Sequence, residues 1–161
     1  MTERWLVSAC LVGQACRYDG ATRARPEVAA FVAQRAAAGA SMMPVCPEEL
    51  GGLGTPRPPA ELRGGDGAGV WAGDATVRRL HDAGDVTDAF RAGARAAFAH
   101  DPRATHALLK ARSPSCGCGR TWRDGAVAPG DGVFAALLRA RGVRLQTEAE
   151  LPPAPPAERD R

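Results

Sequence analysis

The sequence predicts an α/β protein: a Rossmann-like, three-layer fold with a mainly parallel sheet and a small edge hairpin. Two observations carry this. Short β-prone apolar runs alternate along the chain with longer segments whose apolar residues recur at helical spacing. The chain is also 161 residues long, 45% apolar and 24% charged, which suits one soluble domain with a single core.

The elements follow in order. Trp5-Leu6-Val7 is a short strand ending at "SAC". A helix runs from Pro26 to Ala38: proline suits its first turn, Val28, Phe31 and Val32 share a stripe, and Gly39 stops it. "SMMPVC" (41–46) reads as a second short buried strand. Residues 51–69, rich in Gly and Pro, read as a long loop. Val70-Trp71 and Thr76 to Leu80 flank "AGD" and suggest the edge hairpin. A helix starts at Thr87, after Asp85, with Phe90, Ala94, Ala97 and Phe98 on one face, and ends at Asp101-Pro102. A buried strand spans Thr105 to Lys110. A last helix from Asp131 to Arg141 precedes a short strand at Val143 to Leu145. Residues 1–151 therefore form one domain, and the proline-rich tail 152–161 is expected to be disordered.

The net charge of +3 is small, the arginines are scattered, and Lys110 is the one lysine. No clustered basic face marks a nucleic-acid binder, so nucleic acid is disfavoured as a partner. No run approaches the roughly 20 apolar residues of a membrane span. "MTERWLVSAC" lacks the long apolar core of a signal peptide. The chain reads as cytoplasmic, and a homodimer is compatible with it.

In a reducing compartment, five cysteines are more often ligands, nucleophiles or buried small hydrophobes than disulfides. Cys10, Cys46 and Cys116 each fall just past the carboxyl end of an expected strand. In open α/β sheets those ends rim the ligand crevice, so three thiols would converge on one site. No C-x2-C zinc knuckle is present, and Cys116-Gly117-Cys118 is tight for two ligands on one ion. A catalytic zinc with three sulfur ligands stays open. An iron–sulfur cluster held by three cysteines, with one iron free for a soft sulfur ligand, is the sharper reading.

"LVSACLVGQACRYDG", "PVCPEELGGLGTPRPPAE", "GDVTDAF" and "LLKARSPSCG" resemble, in this order, the signature blocks of the thiouracil desulfidases, long known as a domain of unknown function. The resemblance covers residues 6 to 148 and matches the short, single-domain form. It implies a 4Fe–4S cluster on Cys10, Cys46 and Cys116. It further implies non-redox conversion of 2-thiouracil, or a related thiolated pyrimidine, to uracil and hydrogen sulfide, with the substrate's sulfur on the open iron. The family's catalytic acid falls on Glu48 and its catalytic serine on Ser113, with Ser115 the near alternative and a substrate-binding candidate.

Those assignments are chemically coherent. Hydrolysing a thiocarbonyl needs a water delivered to carbon and a proton delivered to nitrogen or sulfur, work for a carboxyl group in a crevice. Arg57 is expected either to line the pocket and bind substrate or to pair with Glu61 or Asp19. Cys16 reads as structural and Cys118 as a bystander of Cys116. Tyr18, Asp19 and Asp85 read as loop locks, and the three histidines fit no common metal spacing. A sulfur-transfer or tRNA-thiolation accessory protein, and a metal- or redox-sensing domain, are the alternatives to an enzyme.

Overall fold

A computed structural model describes residues 2–154; the expected disorder of the tail from residue 155 onward lies outside the described residues. Four strands, β1 (Arg4–Ser8), β2 (Ser41–Val45), β3 (His106–Leu109) and β4 (Arg144–Thr147), form one sheet in the order β2-β1-β3-β4. Every pairing in it is parallel. The alternation of side chains along β1 decides the layers. Trp5 and Val7 pack with Val28 and Phe31 of α1 (Pro26–Ala37) on one face. Leu6 points to the other face, against Phe90, Ala94 and Ala97 of α2 (Thr87–Ala99) and Phe134 and Leu138 of α3 (Val133–Ala140). Helices thus cover both faces, the three-layer arrangement expected.

The strand order sets the position of the site. From β1 the chain moves outward to β2, then returns to pair β3 on the other side of β1. The connections therefore diverge between β1 and β3, a topological switch point, and a crevice opens at the carboxyl ends of those two strands.

Three expectations are corrected. The second strand is an edge strand with only Val45 buried, not a buried one, and Pro44 is tolerated there because an edge leaves donors unpaired. Val70-Trp71 is not a hairpin arm. It belongs to a helical segment, Gly67–Ala72, that Asp66 caps by accepting from the Gly69 amide at 3.0 Å. Burial of Val70 and a bond from Trp71 Nε1 to the Val133 carbonyl at 2.8 Å favour the helix. Nor is 51–69 wholly loop. Ala60–Arg63 is β5, and it pairs antiparallel with β6 (Thr76–Arg79) to make the actual hairpin.

A second hairpin was not expected: β7 (Arg120–Arg123) and β8 (Ala126–Pro129) turn at Asp124-Gly125, both at positive φ, 48° and 85°. The two hairpins join in a second sheet, β6-β5-β7-β8, which stands across the crevice from the first.

Candidate active site

A cavity of about 870 Å³ occupies this crevice. The loop after β1 brings Cys10, Cys16, Arg17 and Tyr18 to it, and the segment after β2 brings Cys46 and Glu48. The loop after β3 brings Lys110 and Ser113 to Cys116, while Glu61 and Trp122 of the second sheet, with Leu80 just after β6, face them. All of the residues singled out from sequence as site candidates (Cys10, Cys46, Glu48, Arg57, Ser113, Ser115 and Cys116) line this one cavity.

Each segment is held by identifiable contacts. Glu48 lies in a single helical turn, Pro47–Leu50, that packs on α2. The contact is close enough that a Cβ on Gly93 would stand 1.9 Å from the Pro47 carbonyl oxygen. The serine–cysteine loop is anchored on α3. The free amides of Val133 and Phe134 in its first turn donate to the Pro114 and Ser115 carbonyls at 2.9 and 2.8 Å. Gly117 is required there, since a Cβ would stand 2.7 Å from the Ser113 carbonyl oxygen. Within the loop, Ser113 Oγ accepts from the amides of Ser115 and Cys116, both at 3.1 Å. Its own O–H is thereby left free to donate elsewhere.

Arg57 does not pair with Glu61 or Asp19. Its partner is Glu48: Nε donates to Oε2 at 2.7 Å, and Nη2 contacts the same oxygen. Arg57 also donates to the carbonyls of Gly54 and Cys16, at 2.8 and 2.9 Å. Glu61 instead meets Arg63 at 3.1 Å and accepts the Gly125 amide at 2.8 Å, tying the second hairpin to the cavity wall.

All five cysteines are free thiols. Burial, with Glu48 and Cys46 nearby, pushes the Cys116 thiol up to about 12. Contact with the Cys10 thiol raises Cys16 to about 11, against an opposing contact with Cys46, and Cys46 is itself raised by Cys16 and by burial. Cys16 is therefore part of the thiol group at the cavity, a placement the turn-like "ACRYDG" did not reveal. Cys118 points away, 3.3 Å from Arg139 Nη2, and lines no part of the cavity.

Among the described residues, no group of three His, Cys, Asp or Glu side chains is drawn close enough to hold a single metal ion. The donor chemistry fits a cluster better. Soft thiols delivered by separate loops are the donor set that iron–sulfur clusters take. No helix among the described residues is long and apolar enough to cross a membrane.

Fold and site together define a class: α/β proteins with a thiol-lined crevice at the carboxyl edge of a parallel sheet. The chain belongs to the 2-thiouracil desulfurase family, whose model matches residues 5–150, and with it to the desulfidase enzymes. It is 40% identical over 151 residues to the uncharacterized protein YbbK of Bacillus subtilis (strain 168), covering 91% of this chain and 96% of that one. The fold matches the solved structure of a 4Fe–4S-dependent thiouracil desulfidase, TudS, with a TM-score of 0.77 and 38% identity over 94% of each chain.

Proposed function

We propose that this chain removes sulfur from 2-thiouracil, or a related thiolated pyrimidine, yielding uracil and hydrogen sulfide with one water consumed. In this reading Cys10, Cys46 and Cys116 hold a 4Fe–4S cluster. What supports it above all is that three thiols from three strand ends share one cavity with a carboxylate. The relative of solved structure, itself described as cluster-dependent, supports the same cofactor. When bound, the cluster supplies a Lewis-acidic iron without a protein ligand, suited to a soft sulfur atom.

The protein's own groups do the rest. Both Arg57 contacts fall on Glu48 Oε2, so Oε1 is left to face a water or a ring nitrogen. Glu48 takes a proton from the water that adds to the carbon bearing sulfur and returns it to the departing sulfur or the ring. Arg57 positions Glu48. Ser113 donates its free O–H to the ring, and Ser115, buried beside the Cys116 thiol at 3.9 Å, shapes the end of the cavity.

The test is direct. Protein purified without oxygen is assayed for iron and acid-labile sulfide, then given 2-thiouracil while uracil and sulfide are followed. Stoichiometric release of both is expected. A loaded cluster without turnover would sink the enzymatic reading and favour sulfur transfer or sensing.

A further inference from the structure

The steps above give no task to Lys110, one of the cations of the cavity wall. Lys110 is the single lysine among 21 basic residues. In a chain that writes every other cation as arginine, a lysine here meets a need that a wide guanidinium fork would not. That need is a compact point charge with donors that can be aimed one at a time.

Its surroundings aim it. Lys110 directly follows β3, and its amide donates to Ser8 Oγ at 2.9 Å across the switch point. Its ammonium donates to the Ala111 carbonyl at 3.0 Å and meets Glu148 Oε1 at 2.9 Å. Glu148, with only 3% of its side chain exposed, follows β4 at the same sheet edge, and its other oxygen accepts the Ala111 amide at 2.8 Å. Two of the three ammonium donors are thus fixed, and among the described residues the third has no protein partner, on a wall of the cavity. A purely structural role would account for the two fixed donors. It would explain neither the choice of lysine nor the place on the cavity wall.

We propose that Lys110, aimed by Glu148, is a specificity-determining residue that donates its third N–H to the remaining exocyclic oxygen of the thiolated pyrimidine. The assignment rests on the function proposed above: with sulfur at the thiol end, that oxygen is the ring's other strong acceptor. A cationic donor there also draws electron density from the ring and makes the carbon bearing sulfur more open to water.

Uracil carries this oxygen and pyrimidin-2-one lacks it, so the contact can be read by binding alone. Calorimetry on the loaded protein compares the two ligands for wild type, Lys110→Met and Lys110→Arg, with iron content and visible absorption recorded for each. Lys110→Met should weaken uracil about ten- to hundredfold, as expected for a hydrogen bond to a charged group, and leave pyrimidin-2-one unchanged. Lys110→Arg retains the Glu148 pair and should also narrow the preference, because the point donor moves; it serves if the Met variant does not fold. Equal weakening of both ligands, weakening of neither, or a wild type that does not favour uracil overturns the proposal. Failure of the desulfidase reading shows separately, as wild-type protein that releases no sulfide from 2-thiouracil.

Discussion

Arg57 Nε donates to Glu48 Oε2 at 2.7 Å, and the guanidinium is the more buried partner, 6% exposed against 16% for the carboxylate. The Gly- and Pro-rich stretch after Glu48 folds back to deliver this cation nine residues later. Arg57 thus fixes one carboxylate oxygen of Glu48 and leaves the other for the role of base proposed above.

Removing either partner should separate positioning from chemistry. Glu48→Gln keeps the shape and a hydrogen-bond acceptor for Arg57, so iron content should hold while kcat falls by about 100-fold or more. Arg57→Met leaves the carboxylate uncompensated and should cost about 3 kcal/mol in urea unfolding, with a smaller drop in kcat. An active Glu48→Gln protein would remove the carboxylate from the chemistry.

The thiols make a graded prediction. Cys10→Ala, Cys46→Ala and Cys116→Ala should each lose cluster iron, whereas Cys118→Ala, directed at Arg139, should not. Cys16→Ser is the informative case, since Cys16 lines the cavity with the other thiols and its backbone carbonyl accepts from the Cys46 thiol at 3.7 Å. It should retain the wild-type iron stoichiometry, and a loss equal to that of Cys46→Ala would make it a ligand. Because Cys46 and Cys116 are raised and ligation must displace their protons, iron uptake by the metal-free protein should strengthen with rising pH through about pH 7 to 9.

The two serines of the loop are separable by the same logic. Ser113→Ala removes the acceptor of two amides and a hydroxyl free to donate, so it should lower kcat about 100-fold and cost about 1–2 kcal/mol. Ser115→Ala removes a hydroxyl packed on Cys116 and should mainly alter the cluster's visible spectrum. The reverse ranking, read from kcat at equal iron content, would exchange their roles.

Much of this site was legible in the sequence because it depends on strand ends. Parallel strands put Cys10, Cys46 and Cys116 on one edge whatever the details between them. What was not legible depended on the second sheet. β5 hid in a Gly- and Pro-rich run that reads as loop. β7 and β8 were announced by Asp124-Gly125, a turn pair at positive φ that suits tight hairpins, but flanking strands so short carry a weak alternation signal. The Glu48–Arg57 and Lys110–Glu148 pairs could not be read from periodicity, since each joins residues from different elements. The solitary lysine was the one signal available for the second.

Gly93 offers a test of how the site is held from behind. It lies in α2, where alanine would normally add about 1 kcal/mol of helix stability. Here the added Cβ would meet the Pro47 carbonyl oxygen at 1.9 Å and the Gly51 amide nitrogen at 3.0 Å, both backbone atoms that cannot swing aside. Overpacking of this kind costs about 1–3 kcal/mol, so the clash should outweigh the propensity and leave Gly93→Ala less stable. The relaxation must move the turn that carries Glu48 and follows Cys46. Iron retention and kcat should therefore fall together, although Gly93 itself is not among the residues lining the cavity. If the variant instead gains about 1 kcal/mol in urea unfolding at full iron content, the helix yields freely and this contact does not position the site.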